Sequence, residues 1–256
     1  MCRYSIYALF FVSLAFINTA KASDEDALKA AGLSRPTPAP TAATKVGTPD
    51  MEPVMCKRGK LIFQETFDKG VINKAWNKYK GGYEPDGDNI KVQELPADGH
   101  HPEMMRGLGK TGAKDVIVQG SFRFDGGKWM GLSLDNKEHV ARCMLTPTGF
   151  KIVKMTGIGP TTKGETVDEK HFKFEAGKWY TILWELHGSE MLARIDDQTV
   201  AFGEMAGVET DKLRLSLISG GEWIAWDDIR VWEAEENPAW AATKAKLQAL
   251  KKPAKK

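Results

Sequence analysis

Residues 115–124, DVIVQGSFRF, decide the architecture: Val116, Val118, Gly120, Phe122 and Phe124 alternate with Ile117, Gln119, Ser121 and Arg123. A period of two gathers the first set on one face of an extended strand, whereas a helix would scatter it around its circumference. The pattern recurs further along the chain. Tyr180, Ile182, Trp184 and Leu186 alternate with Thr181, Leu183, Glu185 and His187, and Leu213, Leu215 and Leu217 with Arg214, Ser216 and Ile218. Shorter runs at residues 61–67, 90–95, 129–134, 139–145, 150–155, 191–195, 199–202 and 224–232 bring the predicted strands to about eleven. Turn chemistry separates them: residues 125–127 (DGG), 147–149 (PTG), 187–189 (HGS) and the pair Asp196, Asp197, where Gly and Asp tolerate positive φ. Many short strands without a long helix predict an all-β domain, a jelly-roll sandwich of two antiparallel sheets, over residues 57–236.

The flanks read differently. Residues 1–22 carry Arg3 and Lys21, an apolar run from position 6 to 17 broken only by Ser13, and a small-x-small site at Ala20-Lys21-Ala22. That is the pattern of a signal peptide, too short to span a bilayer, and it predicts export. Residues 23–56 hold five of the twelve prolines among Ala, Thr and Ser, with no apolar periodicity, and read as a disordered linker. Residues 237–256 read as a basic helical tail: Pro238 suits a helix start, and Ala, Lys and Leu dominate to the end. A Lys-rich tail suits peripheral contact with an anionic envelope surface, or is a solvated helix.

The whole chain has 36 Lys+Arg and 34 Asp+Glu, but the two basic ends account for the surplus and the body between them is net acidic. Such a body argues against nucleic acid as a partner. With Cys2 removed in the leader, Cys56 and Cys143 are left in an exported chain. Either they form a disulfide, as an oxidising compartment favours, or they are two buried thiols. No Cys/His spacing indicates a metal site, and no cofactor is implied; His100-His101-Pro102-Glu103 reads as a surface loop, and Asp86-Gly87-Asp88-Asn89 as a turn.

Gly177-Lys178-Trp179-Tyr180-Thr181 followed by Glu185, then Ala193-Arg194-Ile195-Asp196, then Trp226-Asp227-Asp228-Ile229-Arg230-Val231 together resemble the concanavalin A-like sandwich family. More narrowly they resemble the secreted bacterial 3-keto-disaccharide hydrolase (3-keto-glycoside lyase/hydratase) domains, over roughly residues 61–232. The resemblance implies a secreted or periplasmic bacterial protein directed at carbohydrate, a glycan or a keto-glycoside. It also implies that the Asp-Asp-Ile-Arg segment is structural and brings the last strand beside the first. The family's mid-domain signature, Asn-Ser-Gly-Ile followed by Glu-x-Gln-x-x-Asp, is replaced here by residues 129–135 (WMGLSLD) and 139–143 (HVARC). A Glu-x-Asp-x-x-Glu string, which a retaining glucanase of this fold needs to set two carboxylates about 5.5 Å apart, is also missing.

Candidate functional residues lie opposite the apolar rows. Gln119, Arg123, Ser133 and Arg214 offer hydrogen bonds to sugar hydroxyls, and Trp129, beside two glycines at a strand entry, offers a face for stacking. For catalysis beside a ketone, His139 or Glu185 is the expected base and Arg142 or Arg123 the electrophile. The alternatives are a non-catalytic glycan-binding module, an envelope-associated structural or adhesive protein, or an ordinary solvated sheet face.

Overall fold

The computed structural model describes residues 49–195 and 199–251. The expected leader, residues 23–48 of the linker, Asp196 and Asp197, and residues 252–256 lie outside them. Among the described residues thirteen strands run in chain order: β1 (Cys56–Glu65), β2 (Asn77–Tyr79), β3 (Gly82–Asp86), β4 (Asn89–Gln93), β5 (Glu103–Gly107), β6 (Val116–Asp135), β7 (His139–Thr146), β8 (Gly149–Thr156), β9 (Lys163–His171), β10 (Trp179–His187), β11 (Glu190–Ile195), β12 (Thr199–Glu204) and β13 (Arg214–Glu236). A helix, α1 (Trp240–Lys251), follows. Among the described residues no helix is long and apolar enough to cross a membrane.

Two strands organise everything else. β6 and β13 pair antiparallel along almost their whole lengths, and each passes from one sheet into the other. The first half of β6 and the second half of β13 sit in a first sheet, ordered β12-β11-β10-β6-β13-β1. Their other halves sit in a second sheet, ordered β9-β8-β7-β6-β13-β5-β2. The sequence predicts a turn at residues 125–127; the structure has a β-bulge there instead. Trp223 pairs with both Asp125 and Gly126, and Gly126 and Gly221 take positive φ (106° and 85°), so the two strands bend together without losing their ladder. A second irregularity, between Asp227 and Arg230, leaves Asp228 at φ 45°, where it chelates the Arg230 guanidinium at 2.6 and 2.8 Å. β13 then runs on beside β1, as the Asp-Asp-Ile-Arg segment implied.

The alternating apolar residues fill the space between the sheets. Val118, Phe122, Leu132, Ile182, Trp184, Leu217, Trp226 and Val231 form one contiguous buried cluster. A second apolar cluster lies on the outer side of the first sheet, where Ile117, Leu183, Leu192 and Phe202 meet Met51, Val54, Met55, Trp240 and Leu247. Residues 49–55, expected in the linker, therefore belong to the folded body. The tail is also docked: Trp240 Nε1 donates to Glu190, Lys244 pairs with Glu190 and Glu204, and Lys251 pairs with Asp168 at 2.6 Å. Asn237 ties the two segments together, accepting the Ala239 N–H and donating to Val54 O.

The expected Cys56–Cys143 bridge is corrected. Both cysteines are free and buried, Cys56 in the outer cluster and Cys143 in the main core, with the first sheet's packing between their environments. Burial pushes both thiols up.

Candidate functional site

The outward side chains of the two sheets have different fates. On the first sheet the bend in β6 leaves Gln119 and Arg123 pointing outward, and β10 adds Glu185. Glu185 is fully buried and accepts three backbone N–H groups, from Val54 (3.0 Å), Met55 (2.8 Å) and Cys56 (2.8 Å). Burial pushes its carboxyl up, and the N–H bonds and the Arg194 charge pull it back. Gln119 accepts the Met51 N–H at 3.1 Å. These two candidates are anchors for the N-terminal segment. Arg123 is engaged as well: Asp125 holds it bidentately, Asp86 lies 2.7 Å away, and the guanidinium lies over the Trp179 ring. None of the three faces His139, so the expected grouping of Glu185, Gln119 and Arg123 with His139 and Arg142 is not what the fold builds.

The second sheet does bring candidates together. Ser133 faces Ser216 on β13 and Arg142 on β7, and Asp135 faces Arg214 and, across a tight hairpin, His139. Asp135 is buried and its two oxygens are fully used. Oδ1 accepts Ser133 Oγ–H (2.9 Å) and meets His139 Nδ1 (2.8 Å); Oδ2 accepts Arg214 Nε–H and Ser216 Oγ–H, both at 3.3 Å. Burial alone would raise this carboxyl, but His139, Ser133 and Arg214 outweigh it and hold it below the usual carboxylate range. Arg142 donates from Nε to Ser133 Oγ (3.1 Å) and from Nη2 toward His139 Nε2 (3.2 Å). Because a guanidinium only donates, His139 Nε2 is the acceptor and the ring proton sits on Nδ1, facing Asp135. The network Asp135–His139–Arg142–Ser133 thus holds Arg142 from below.

At the other end of the same face, four residues back along β6, Trp129 lies across Gly220 with its ring against His101 (centroids 5.1 Å, 70°). His101 stacks on His100, which meets Tyr79 edge-on. The loop expected to be plain surface is therefore an aromatic border of this face. His101 is pushed down to about 4, first by burial, with the neighbouring His100 side chain and the Arg142 guanidinium acting in the same direction. Across β7, β8 and β9 the face continues into a cleft of about 240 Å³, lined by Met144, Thr146, Lys151, Glu169 and His171 among others. Among the described residues no group of three or more His, Cys, Asp or Glu side chains is placed to hold a metal ion.

Sequence reasoning missed Asp135, Ser216, His101 and the cleft. For Asp135 a signal existed: Ser133 and Asp135 are two apart on one strand, and a short hairpin returns the chain to His139, so all three share a face.

No family model and no curated protein matches this chain. Solved structures do. The CBM2 module of the evolved Dit protein from Lactobacillus casei BL23 phage J-1 aligns over 70% of this chain and 98% of its own, at 11% identity and a TM-score of 0.53. A non-specific endo-β-1,3(4)-glucanase of family GH16 aligns over 68% and 91%, at 12% identity and 0.51. A Bacillus subtilis protein of unknown function with a galectin-like fold aligns over 72% and 100%, at 8% identity and 0.52. At such identities the likeness defines the fold. The chain is a jelly-roll sandwich of the concanavalin A-like type.

Proposed function

We propose that this protein is an exported, carbohydrate-directed sandwich whose sugar site is the outer face of the second sheet. One observation carries the reading: a guanidinium held in place by Ser133 and His139 shares that face with a half-buried indole, Trp129. Sugars offer hydroxyls to the first and an apolar ring face to the second. Two of the solved structures similar in fold, a carbohydrate-binding module and a glucanase, support it by analogy of fold. Screening the purified protein on a glycan array, with Trp129→Ala and Arg142→Ala alongside, tests it. Binding in the wild type that both variants lose is the expected result, and silence across neutral and acidic glycans contradicts it.

A second reading, turnover of 3-keto-glycosides, has one specific observation in its favour. The His139–Asp135 pair has the form of an oriented base, with Arg142 beside it. In the resting geometry His139 Nε2 is capped by Arg142. If a ketone oxygen drew the guanidinium away, Nε2 would become free to take the acidic proton while Arg142 stabilised the enolate. Release of free sugar from a 3-keto-glucoside, abolished in His139→Asn, is the expected outcome. Unchanged release in that variant removes His139 from the mechanism. Export follows from residues 1–22 and is checked by fractionating cells that express the full chain.

A further inference from the structure

Among the described residues most arginines are held by a carboxylate, and Arg194 donates to the Glu52 carbonyl. Arg58, Arg106, Arg123, Arg214 and Arg230 each sit on a carboxylate, at 2.7, 3.3, 2.6, 3.3 and 2.6 Å respectively. Arg142 does not: its hydrogen-bond partners are a serine hydroxyl and an imidazole nitrogen. The carboxylate beneath it, Asp135, is already occupied at both oxygens by Ser133, His139, Arg214 and Ser216. Arg142 is half-buried, so its cation is partly stripped of water without a fixed counter-charge in contact. Burial pushes its guanidinium down from the usual arginine range, and Asp135 and Glu103 only partly restore it.

The way it is held matters as much as the charge. Ser133 and His139 take the Nε–H and an Nη2–H, the side edge of the guanidinium. The Nη1–Nη2 edge keeps two parallel N–H groups, a fork that matches the two oxygens of a carboxylate. Trp129 lies four residues along β6 from Ser133, the strand partner of Arg142, on the order of 13 Å at the usual strand rise, so an oligosaccharide of two or three units spans the distance from indole to guanidinium. Lys151 and His171 line the cleft on the far side.

We infer that the glycan this face takes is acidic, with the carboxylate of a hexuronate-class sugar seated on the Nη1–Nη2 edge of Arg142. The inference rests on the carbohydrate reading above and narrows it. An anion arriving there supplies the counter-charge that the protein leaves out, whereas a neutral sugar can offer only hydroxyls to the fork.

Calorimetric titration of the intact protein with paired oligosaccharides separates the two claims. The pairs are oligomers of glucuronate, galacturonate and mannuronate against their carboxyl-reduced glucose, galactose and mannose counterparts, with the methyl esters, a sulfated galactose oligomer and inorganic phosphate as further probes. In at least one pair the acidic member binds tenfold or more tightly than its reduced and esterified forms, and Arg142→Gln removes the difference. Arg142→Lys, which keeps the charge and loses the fork, retains only part of it. Equal binding within every pair overturns the acidic specificity and leaves glycan binding standing. Binding of no oligomer overturns both. Phosphate or the sulfated oligomer binding as tightly as any hexuronate also overturns the carboxylate assignment, since the site would then be a general anion site. The esterification comparison uses the unaltered protein, so it holds even if an Arg142 variant folds poorly.

Discussion

The outer faces of the two sheets begin from the same period of two, a mixed outward row alternating with a buried apolar one, and end in opposite roles. On the first sheet Glu185 and Gln119 point at chain: they satisfy backbone N–H groups of residues 51–56, and α1 seals the margin with Trp240 and Leu247. On the second sheet Asp135, Ser133 and His139 point at one another and hold Arg142 and its neighbours toward solvent. A buried polar group that chiefly satisfies backbone is an anchor. One whose partners are side chains that still reach solvent is the floor of a site.

The largest effect that would sharpen this comparison is on the anchoring side. Glu185→Ala strands three buried N–H groups, so it is expected to cost about 3–5 kcal/mol in denaturant unfolding and to expose residues 49–56 to protease, with glycan affinity unchanged. Lost affinity with full stability would merge the two faces and break the comparison. Next comes Asp135→Asn, which removes the charge under the site. We expect about 2–3 kcal/mol of lost stability together with at least a tenfold loss of glycan affinity in a calorimetric titration.

Trp129→Ala is expected to act on binding alone, about five- to tenfold weaker with thermal stability nearly unchanged, because the ring is half-buried. Trp232→Ala, under Arg58 on the other face, should do the reverse. The last effect is a pH dependence. His101 binds a proton near 6.5 in the unfolded chain but only at about 4 in the fold, so stability is full above that window and falls as pH drops from about 6.5 to 4. His101→Asn should flatten that slope in melting curves recorded across the range. An unchanged slope would place its origin elsewhere.

The period of two along residues 115–124 and 180–187 made the sandwich readable, and the inward rows were the right ones. What the period could not carry is the side of the molecule. Gln119, Arg123 and Ser133 belong to the outward row of one strand, yet the bulge at Gly126 carries β6 from one sheet to the other, so the first two lie on the face opposite Ser133. Reading residues 125–127 as a turn hid that crossing, since a bulge and a turn both ask for glycine at positive φ. Residues 49–55 were hidden differently: their Pro and Met pattern has no period, and only the acceptors waiting on β6 and β10 give them a place. Arg142, His139, Ser133, Arg214 and Trp129 were legible as candidates. Their convergence depends on hairpin register, which local pattern does not encode.

The central claim is that the second sheet's outer face, and not the first's, receives the sugar. It is tested most directly by titrating isotopically labelled protein with the tightest-binding oligosaccharide and following the indole N–H signals by NMR. The account predicts that the Trp129 signal moves in proportion to occupancy while those of Trp232 and Trp240, on the covered face, stay still. Movement of Trp232 or Trp240 with Trp129 unaffected would contradict it.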